Sequence, residues 1–200
     1  MSAQKSNVAY YAKLAGVLLI ISLVVAGMLG VVNGMTADII AEAKAAKKAE
    51  AMSVVLADCS FEEVAVTEDM VAASAAFESE LASVYAGKDS SGAAAGYVME
   101  VTPSGFGGAI SMVVGVDAAG KVTGVSVISN SETAGVGTKV TQNKNNKSGV
   151  PVLDQFIGKS AADGELTVGT NVDAVSGATV SSKAVTRGVN AALAVKAILG

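Results

Sequence analysis

The sequence predicts an α+β domain carried behind a single membrane-spanning helix. Three stretches predict it. Ala15 to Val32, "AGVLLIISLVVAGMLGVV", is apolar and uncharged throughout. The central "AGYVMEVTPSGFGGAISMVVGVDAAGKVTGVSVIS" alternates β-branched and polar residues and is cut by "TPSGFGG" and "DAAGK", which have turn chemistry. The closing "VSSKAVTRGVNAALAVKAIL" has apolar residues at helical spacing. Helices and a mostly antiparallel sheet in one domain make an α+β fold. With 51% hydrophobic but only 4% aromatic residues, the core must be built from Val, Ala, Leu and Ile. A chain of 200 residues suffices for one such domain and a short additional segment.

In chain order, residues 1–14 hold Lys5 and Lys13, with Tyr10 and Tyr11 where an interfacial aromatic belt belongs. Residues 15–34 form the span: the apolar run reaches roughly 27 Å as a helix, against a hydrocarbon core of about 30 Å. A cleaved signal peptide shares the basic start. The run exceeds a usual signal core of roughly 7 to 15 residues, however, and "VNGMTA" is an indifferent cleavage site, so a retained anchor is expected. Lys44, Lys47 and Lys48 rival the lysines in front of the span, and charge alone leaves its orientation open.

Residues 35–52 are rich in Ala, Glu and Lys. Thr36 is a candidate N-cap, and Ile39 or Ile40, Ala43 and Ala46 share one side. This is either a helical stalk or a solvated helix lying on the domain. Residues 53–200 make the domain itself. "FEEVAV" begins a strand, and Glu68 to Gly87 reads as a helix ending at glycine. Antiparallel strands follow at Gly96–Thr102, Ala109–Val116 and Val122–Ile128. Then come a polar surface loop over Asn143–Gly149, a short helix at "VLDQFIG", a strand near "ELTVG", and a last helix after Thr179 with Val185, Val189 and Leu193 facing the core.

The chain has no histidine, which removes a His general base, a His metal ligand and axial haem ligation. Cys59 is its only cysteine, so neither an internal disulfide nor a four-cysteine cluster can form within it; a small buried apolar role is expected for this residue. No metal site and no catalytic residues are expected. Redox chemistry therefore requires an organic cofactor or the metals of a partner. A net charge of -4 without a basic face argues against nucleic acid.

Near the C-terminus "DAVSGATVSSKAV", residues 173 to 185, gathers hydroxyls at the start of the last helix. A helix N-terminus leaves amides unpaired and favours a phosphate, and Gly177 and Ala178 allow close approach. Helix capping alone also accounts for Ser or Thr at such a position. "DAVSGAT" resembles the flavinylation motif of the FMN-binding domains of Rnf and sodium-pumping NADH:quinone reductase complexes. In that family the closing Thr, here Thr179, is joined to FMN through its phosphate. "SETAGVGTKV", Ser131 to Val140, resembles the family's S-E-T-P-G-L-G loop, with Ala134 and Val136 replacing Pro and Leu. The strand region resembles it as well, and the likeness runs from the anchor to the C-terminus.

The resemblance implies an extracytoplasmic, FMN-binding domain with an antiparallel sheet flanked by helices, anchored by one helix in the cytoplasmic membrane. It implies covalent FMN on Thr179, installed from FAD by a flavin transferase. Asp173, Ser176, Gly177 and Ala178 would present the hydroxyl, and Val180 and Ser181 would lie at the helix start that holds the phosphate. Glu132, Thr133, Gly135 and Gly137 would sit beside the ring or ribityl chain, although a solvated loop carboxylate is the alternative for Glu132. Lys139 and Lys183 read as solvated. Chain length points to an Rnf-type subunit, an electron carrier within an ion-translocating ferredoxin:NAD oxidoreductase whose partners bear flavin and iron-sulfur centres. The alternatives are a subunit of the sodium-pumping NADH:quinone reductase, a solitary membrane-anchored flavoprotein, and a non-redox binding module in which the turn is only a cap.

Overall fold

The computed structural model describes the backbone of residues 2–200 and the side chains from Tyr10 onward; Lys5 lies outside those side chains. The first helix, α1, runs from Ser2 to Val55. It crosses two compact units, one ending at Ala46 and one spanning Lys47–Gly200.

In the first unit Leu18, Leu19, Ile20 and Ile21 are all exposed. Successive helical residues turn by about 100°, so these four cover the whole circumference. A helix that is apolar on every side and uncovered by protein matches a lipid environment, and this is the one helix among the described residues long and apolar enough to cross a membrane. Thr36 does not cap a second helix as its position suggested. It lies inside α1, where its hydroxyl donates to Val32 O at 2.9 Å, bonding back one turn instead of interrupting the chain.

The second unit is built on five strands, β1 (Ser60–Val64), β2 (Ser79–Lys88), β3 (Ala94–Pro103), β4 (Ile110–Asp117) and β5 (Val122–Asn130). They are antiparallel and lie side by side in chain order. Both faces are covered. On one, Met99, Val101, Met112 and Val114 meet α2 (Glu68–Ala75) and α4 (Thr179–Leu199). On the other, Val98, Val113 and Ile128 meet Ala51, Met52, Val55 and Leu56 from the end of α1. This double coverage explains why β4 is buried almost continuously, where a one-sided sheet would show simple alternation.

The expected helix Glu68–Gly87 is corrected. Only Glu68–Ala75 is helical, with Thr67 accepting from Met70 N as its N-cap; Ser79–Lys88 is β2. Glu78 adopts φ 52, outside the helical region; beyond it Ser79 and Leu81 alternate inward, and a register shift after Leu81 turns Ser83 to the α1 side, while the strand pairs with β3. The Ala-rich composition favours helix locally, and cross-strand pairing with inward packing outweighs it. "ELTVG" is not a strand: only an isolated bridge joins Val168 to Val172. "VLDQFIG" reduces to the 3-10 turn Asp154–Phe156. Val185, Val189 and Leu193 are buried against the sheet, as their spacing predicts.

The end of α1 sits on a glycine seat. A Cβ on Gly115 would stand 2.6 Å from Val55 O, and one on Gly124 3.1 Å from Val55 Cα. The Thr123 hydroxyl donates to Val55 O, satisfying one of the carbonyls left over at the helix C-terminus. Two turns earlier Lys48 bonds to Ser83 and Glu100 and lies 4.8 Å from the centre of the Tyr85 ring. Burial pulls the Lys48 pKa down, but the hydrogen bond and charge of Glu100, with Tyr85, outweigh it and hold the ammonium above its ordinary 10.5. A raised pKa means that this stabilisation is fully present below the ordinary value and is lost as pH rises through the elevated one. We therefore expect Lys48→Met to cost on the order of 1 kcal/mol. The difference from the parent in denaturant midpoint should stay constant across about pH 6 to 9 and shrink only at strongly alkaline pH.

Candidate functional site

Three segments converge at the N-terminus of α4. The first is the turn that feeds it. Ala178 N donates to Val175 O at 3.0 Å across a turn with Gly177 at φ 80, a left-handed conformation that glycine adopts without strain. Ser182 locks this turn from inside the helix. Its hydroxyl accepts from Val175 N at 3.2 Å and donates to Ala178 O at 3.0 Å. The N-cap residue is therefore Ala178, which makes no side-chain cap, and Thr179 is the first helical residue, exposed and free of capping duty. The first α4 amide to find an acceptor is Ser182 N, onto Ala178 O at 2.9 Å; those of Thr179, Val180 and Ser181 have none among the described residues. Three unpaired amides at the positive end of a 21-residue helix are suited to a phosphate.

The second segment is the β3–β4 connection around Gly105, Phe106 and Gly107, and the third is the loop from Ser131 that leads into the short helix α3 (Thr138–Thr141). Glu132 joins both to α4. It is only 8% exposed. One carboxylate oxygen accepts from Phe106 N at 2.8 Å; the other accepts from Ser181 Oγ at 3.0 Å and Gly107 N at 3.4 Å. Glycine is required around it: a Cβ on Gly105 would meet one Glu132 oxygen at 1.9 Å, and a Cβ on Gly137 would meet the other at 2.0 Å. Burial excludes the solvated-loop alternative for Glu132, whose oxygens face the hairpin amides and Ser181.

Together the segments enclose a cleft of about 280 Å³ lined by Phe106, Val136, Gly137 and the run Gly177–Ser181. Phe106 is 71% exposed, and Val136 and Val180 are also exposed. An aromatic and two aliphatic side chains thus stand open to solvent beside unpaired amides, a combination that fits a ligand with a flat apolar ring and a phosphate. Of the residues singled out in the sequence, the structure brings Thr179, Gly177, Ala178, Val180, Ser181 and Gly137 into the cleft. Ser176 lies exposed on the turn. Thr133 and Gly135 shape the loop, the Thr133 carbonyl accepting from Val136 N and Thr138 N and Gly135 taking φ 76, but neither lines the cleft.

Asp173 makes no hydrogen bond to Thr179 among the described residues. Its carboxylate accepts from the Ser148 hydroxyl, and its backbone is held on both sides by Gln155. Sequence reasoning missed the roles of Phe106, Ser148, Gln155 and Ser182, the last being read only as one of the hydroxyls at the helix start. An aromatic flanked by glycines in a turn was the available signal for Phe106; the other three act through contacts distant in the chain or through helix geometry. Outside the site, Cys59 is half-buried rather than buried as expected, and partial desolvation with the charges of Asp89 and Asp58 pushes its thiol up, which keeps it protonated at neutral pH. Among the described residues no cluster of acidic or cysteine side chains suits a metal ion.

Removing the Glu132 carboxylate tests its joining role. Glu132→Ala leaves the Phe106 and Gly107 amides and the Ser181 hydroxyl without their acceptor, at a cost of about 1–3 kcal/mol. Amide hydrogen exchange at Phe106 and Gly107 should accelerate selectively while β2 and β3 amides keep their protection.

The model of the family described as "FMN-binding domain" matches residues 105–194, which include Phe106, the Glu132 loop and most of α4. The chain is 36% identical over 196 residues, 92% of its own length and 90% of the relative's, to the G subunit of the Na(+)-translocating ferredoxin:NAD(+) oxidoreductase complex of Acetobacterium woodii. It is 38% identical over 111 residues to the G subunit of an ion-translocating oxidoreductase complex of Methanosarcina acetivorans, covering 54% of this chain and 55% of that one. Among solved structures, NqrC of Shewanella oneidensis aligns over 64% of this chain and 61% of its own, at 23% identity and a TM-score of 0.44. On the strength of the near full-length relative, the chain belongs to the G-subunit family of ion-translocating ferredoxin:NAD(+) oxidoreductase (Rnf) complexes.

Proposed function

We propose that this chain is the electron-carrying FMN subunit of an Rnf-type complex, with the flavin joined to Thr179 by a phosphoester. The observation that carries this reading is the position of Thr179. It is an exposed hydroxyl on the first turn of α4, beside three amides without acceptors and at the rim of an apolar cleft. The residues present fit the group. The Thr179, Val180 and Ser181 amides would hold the phosphate, and Phe106, Val136 and Val180 would border the ring. FMN supplies the one- and two-electron chemistry; the chain's own residues bind it, orient it and shield one side of it from water.

Attachment transfers FMN from FAD: the Thr179 oxygen bonds to the FMN phosphorus, the pyrophosphate bond breaks, AMP departs and the hydroxyl proton is released. A flavin transferase performs this step, and Asp173 to Ala178 form the presenting turn. Ser181 and Gly137 act on the inner wall, and Glu132, Thr133 and Gly135 set the loop that borders the flavin. A covalent link keeps the cofactor with a domain that faces the extracytoplasmic medium. Residues 1–14 then lie in the cytoplasm, 15–34 in the membrane, 35–52 in the stalk and 53–200 in the flavin domain. The partners are the flavin- and iron-sulfur-bearing subunits of the same complex, which couples electron transfer to Na+ or H+ translocation.

Two measurements test this. Coexpressed with a flavin transferase and run on a denaturing gel, the parent chain should fluoresce and Thr179→Val should lose the signal; persistence of the signal would place the attachment elsewhere. Affinity purification from the native membrane should bring down other integral-membrane redox subunits. Recovery of the chain alone would favour the solitary carrier.

A further inference from the structure

The segment Asn143–Gly149 looks like an ordinary polar loop, yet it is held in place at nearly every residue. Asn146 is buried, and its side-chain oxygen accepts from Ser148 N at 3.0 Å and Val150 N at 3.1 Å. Asn143 accepts from Leu153 N at 2.7 Å and donates to Asp154 at 2.8 Å. An isolated bridge joins Asn145 to Pro151. These bonds deliver the Ser148 hydroxyl to the carboxylate of Asp173, although both lie far apart in the chain. Behind them Gln155 grips the Asp173 backbone: its side-chain oxygen accepts from Asp173 N at 2.8 Å and its amide donates to Asp173 O at 3.0 Å, while also donating to Val152 O at 2.8 Å.

A carboxylate at the surface is thereby fixed in position and in side-chain orientation. Surface acids ordinarily keep their rotamer freedom, and holding one requires compensating bonds. Asp173 has no hydrogen bond to Thr179 among the described residues, so the fixed carboxylate does not serve the hydroxyl from within the chain. Asp173 is partly exposed, and it lies a short turn before the proposed attachment point, where whatever modifies Thr179 must approach.

We propose that Ser148 and Gln155 are positioning residues for Asp173, holding the acid of the flavinylation motif in the one orientation in which the flavin transferase meets it when it carries FAD to Thr179. This rests on the reading of Thr179 as the flavinylation site. A preset carboxylate lowers the ordering cost of docking, so its loss appears in the concentration of protein needed rather than in the rate at saturation.

The test uses the full-length chain, produced without transferase and solubilised in detergent, then incubated with purified flavin transferase and FAD while covalent flavin is followed by gel fluorescence. Ser148→Ala and Gln155→Ala should each raise the KM for the protein substrate about three- to tenfold, the worth of one or two hydrogen bonds, with kcat within about twofold. Ser148→Thr should restore the parent KM. Asp173→Asn should raise KM as well, and adding Ser148→Ala to it should cost nothing further, because Ser148 acts through Asp173. Ser148 is exposed, so its alanine variant should keep the parent melting temperature. Parent-like KM values for both alanine variants, or additive effects of Ser148 and Asp173, would overturn the positioning role while leaving flavinylation intact. A parent chain that takes no flavin would remove the attachment site itself, and this inference with it.

Discussion

The site depends on how α4 is seated. Val185, Val189, Ala192 and Val195 are fully buried on the same side of the sheet as Met99, Val101, Met112 and Val114. Gly188 permits the close approach: a Cβ there would already lie within 3.0–3.2 Å of Met112 and Pro103. At roughly 25 cal/mol for each Å² of apolar surface removed from water, this interface far outweighs any single polar contact in the domain. The helix axis is therefore fixed by the core, and the N-terminal turn cannot drift relative to the sheet. A helix end becomes a usable anion site only when it is held still, and the apolar stripe along α4 holds it.

Polar contacts then finish what the core begins. Glu132 gathers a hairpin, a glycine-bearing loop and the first turn of α4 onto one buried carboxylate. Ser182 closes the turn from below, and Gln155 fixes its upstream end at Asp173. Buried polar groups of this kind are specific because leaving any partner unmet is costly. The glycines at 105 and 137 follow from the same logic, since any side chain there would occupy the space of the Glu132 carboxylate. Of the two loop departures, Val136 forms part of the cleft wall and Ala134 does not line it.

On the opposite face of the sheet, the last turns of α1 are joined to the strands by packing rather than by a loose linker. Val55 rests on Gly115 and Gly124, Thr123 binds its carbonyl, and Lys48 is held by Glu100 and Ser83. The lysine that the sequence offered as a topological charge is thus also a structural one.

Much of this was legible in the sequence. The uncharged run Ala15–Val32 announced its helix because hydropathy over one span needs no tertiary information. The three central strands and α4 were visible in their periodicity, and "DAVSGAT" pointed to the candidate site at the start of α4. The helix read over Glu68–Gly87 failed because Ala-rich residues carry a local preference that pairing with β3 overrides, and the strand read at "ELTVG" found no neighbouring strand with which to form a ladder. Thr36 read as a cap because a hydroxyl can serve a helix start or bond back within a helix. The sequence by itself determined the apolar helix and the α+β class, since each depends on residues close together in the chain, and its motif singled out Thr179 as the candidate attachment point. Only the tertiary structure decided that Glu132 is a buried joint, that Phe106 borders the cleft, and that Ser148 and Gln155 hold Asp173. These depend on contacts between segments 18 to 49 residues apart, and no local pattern encodes them.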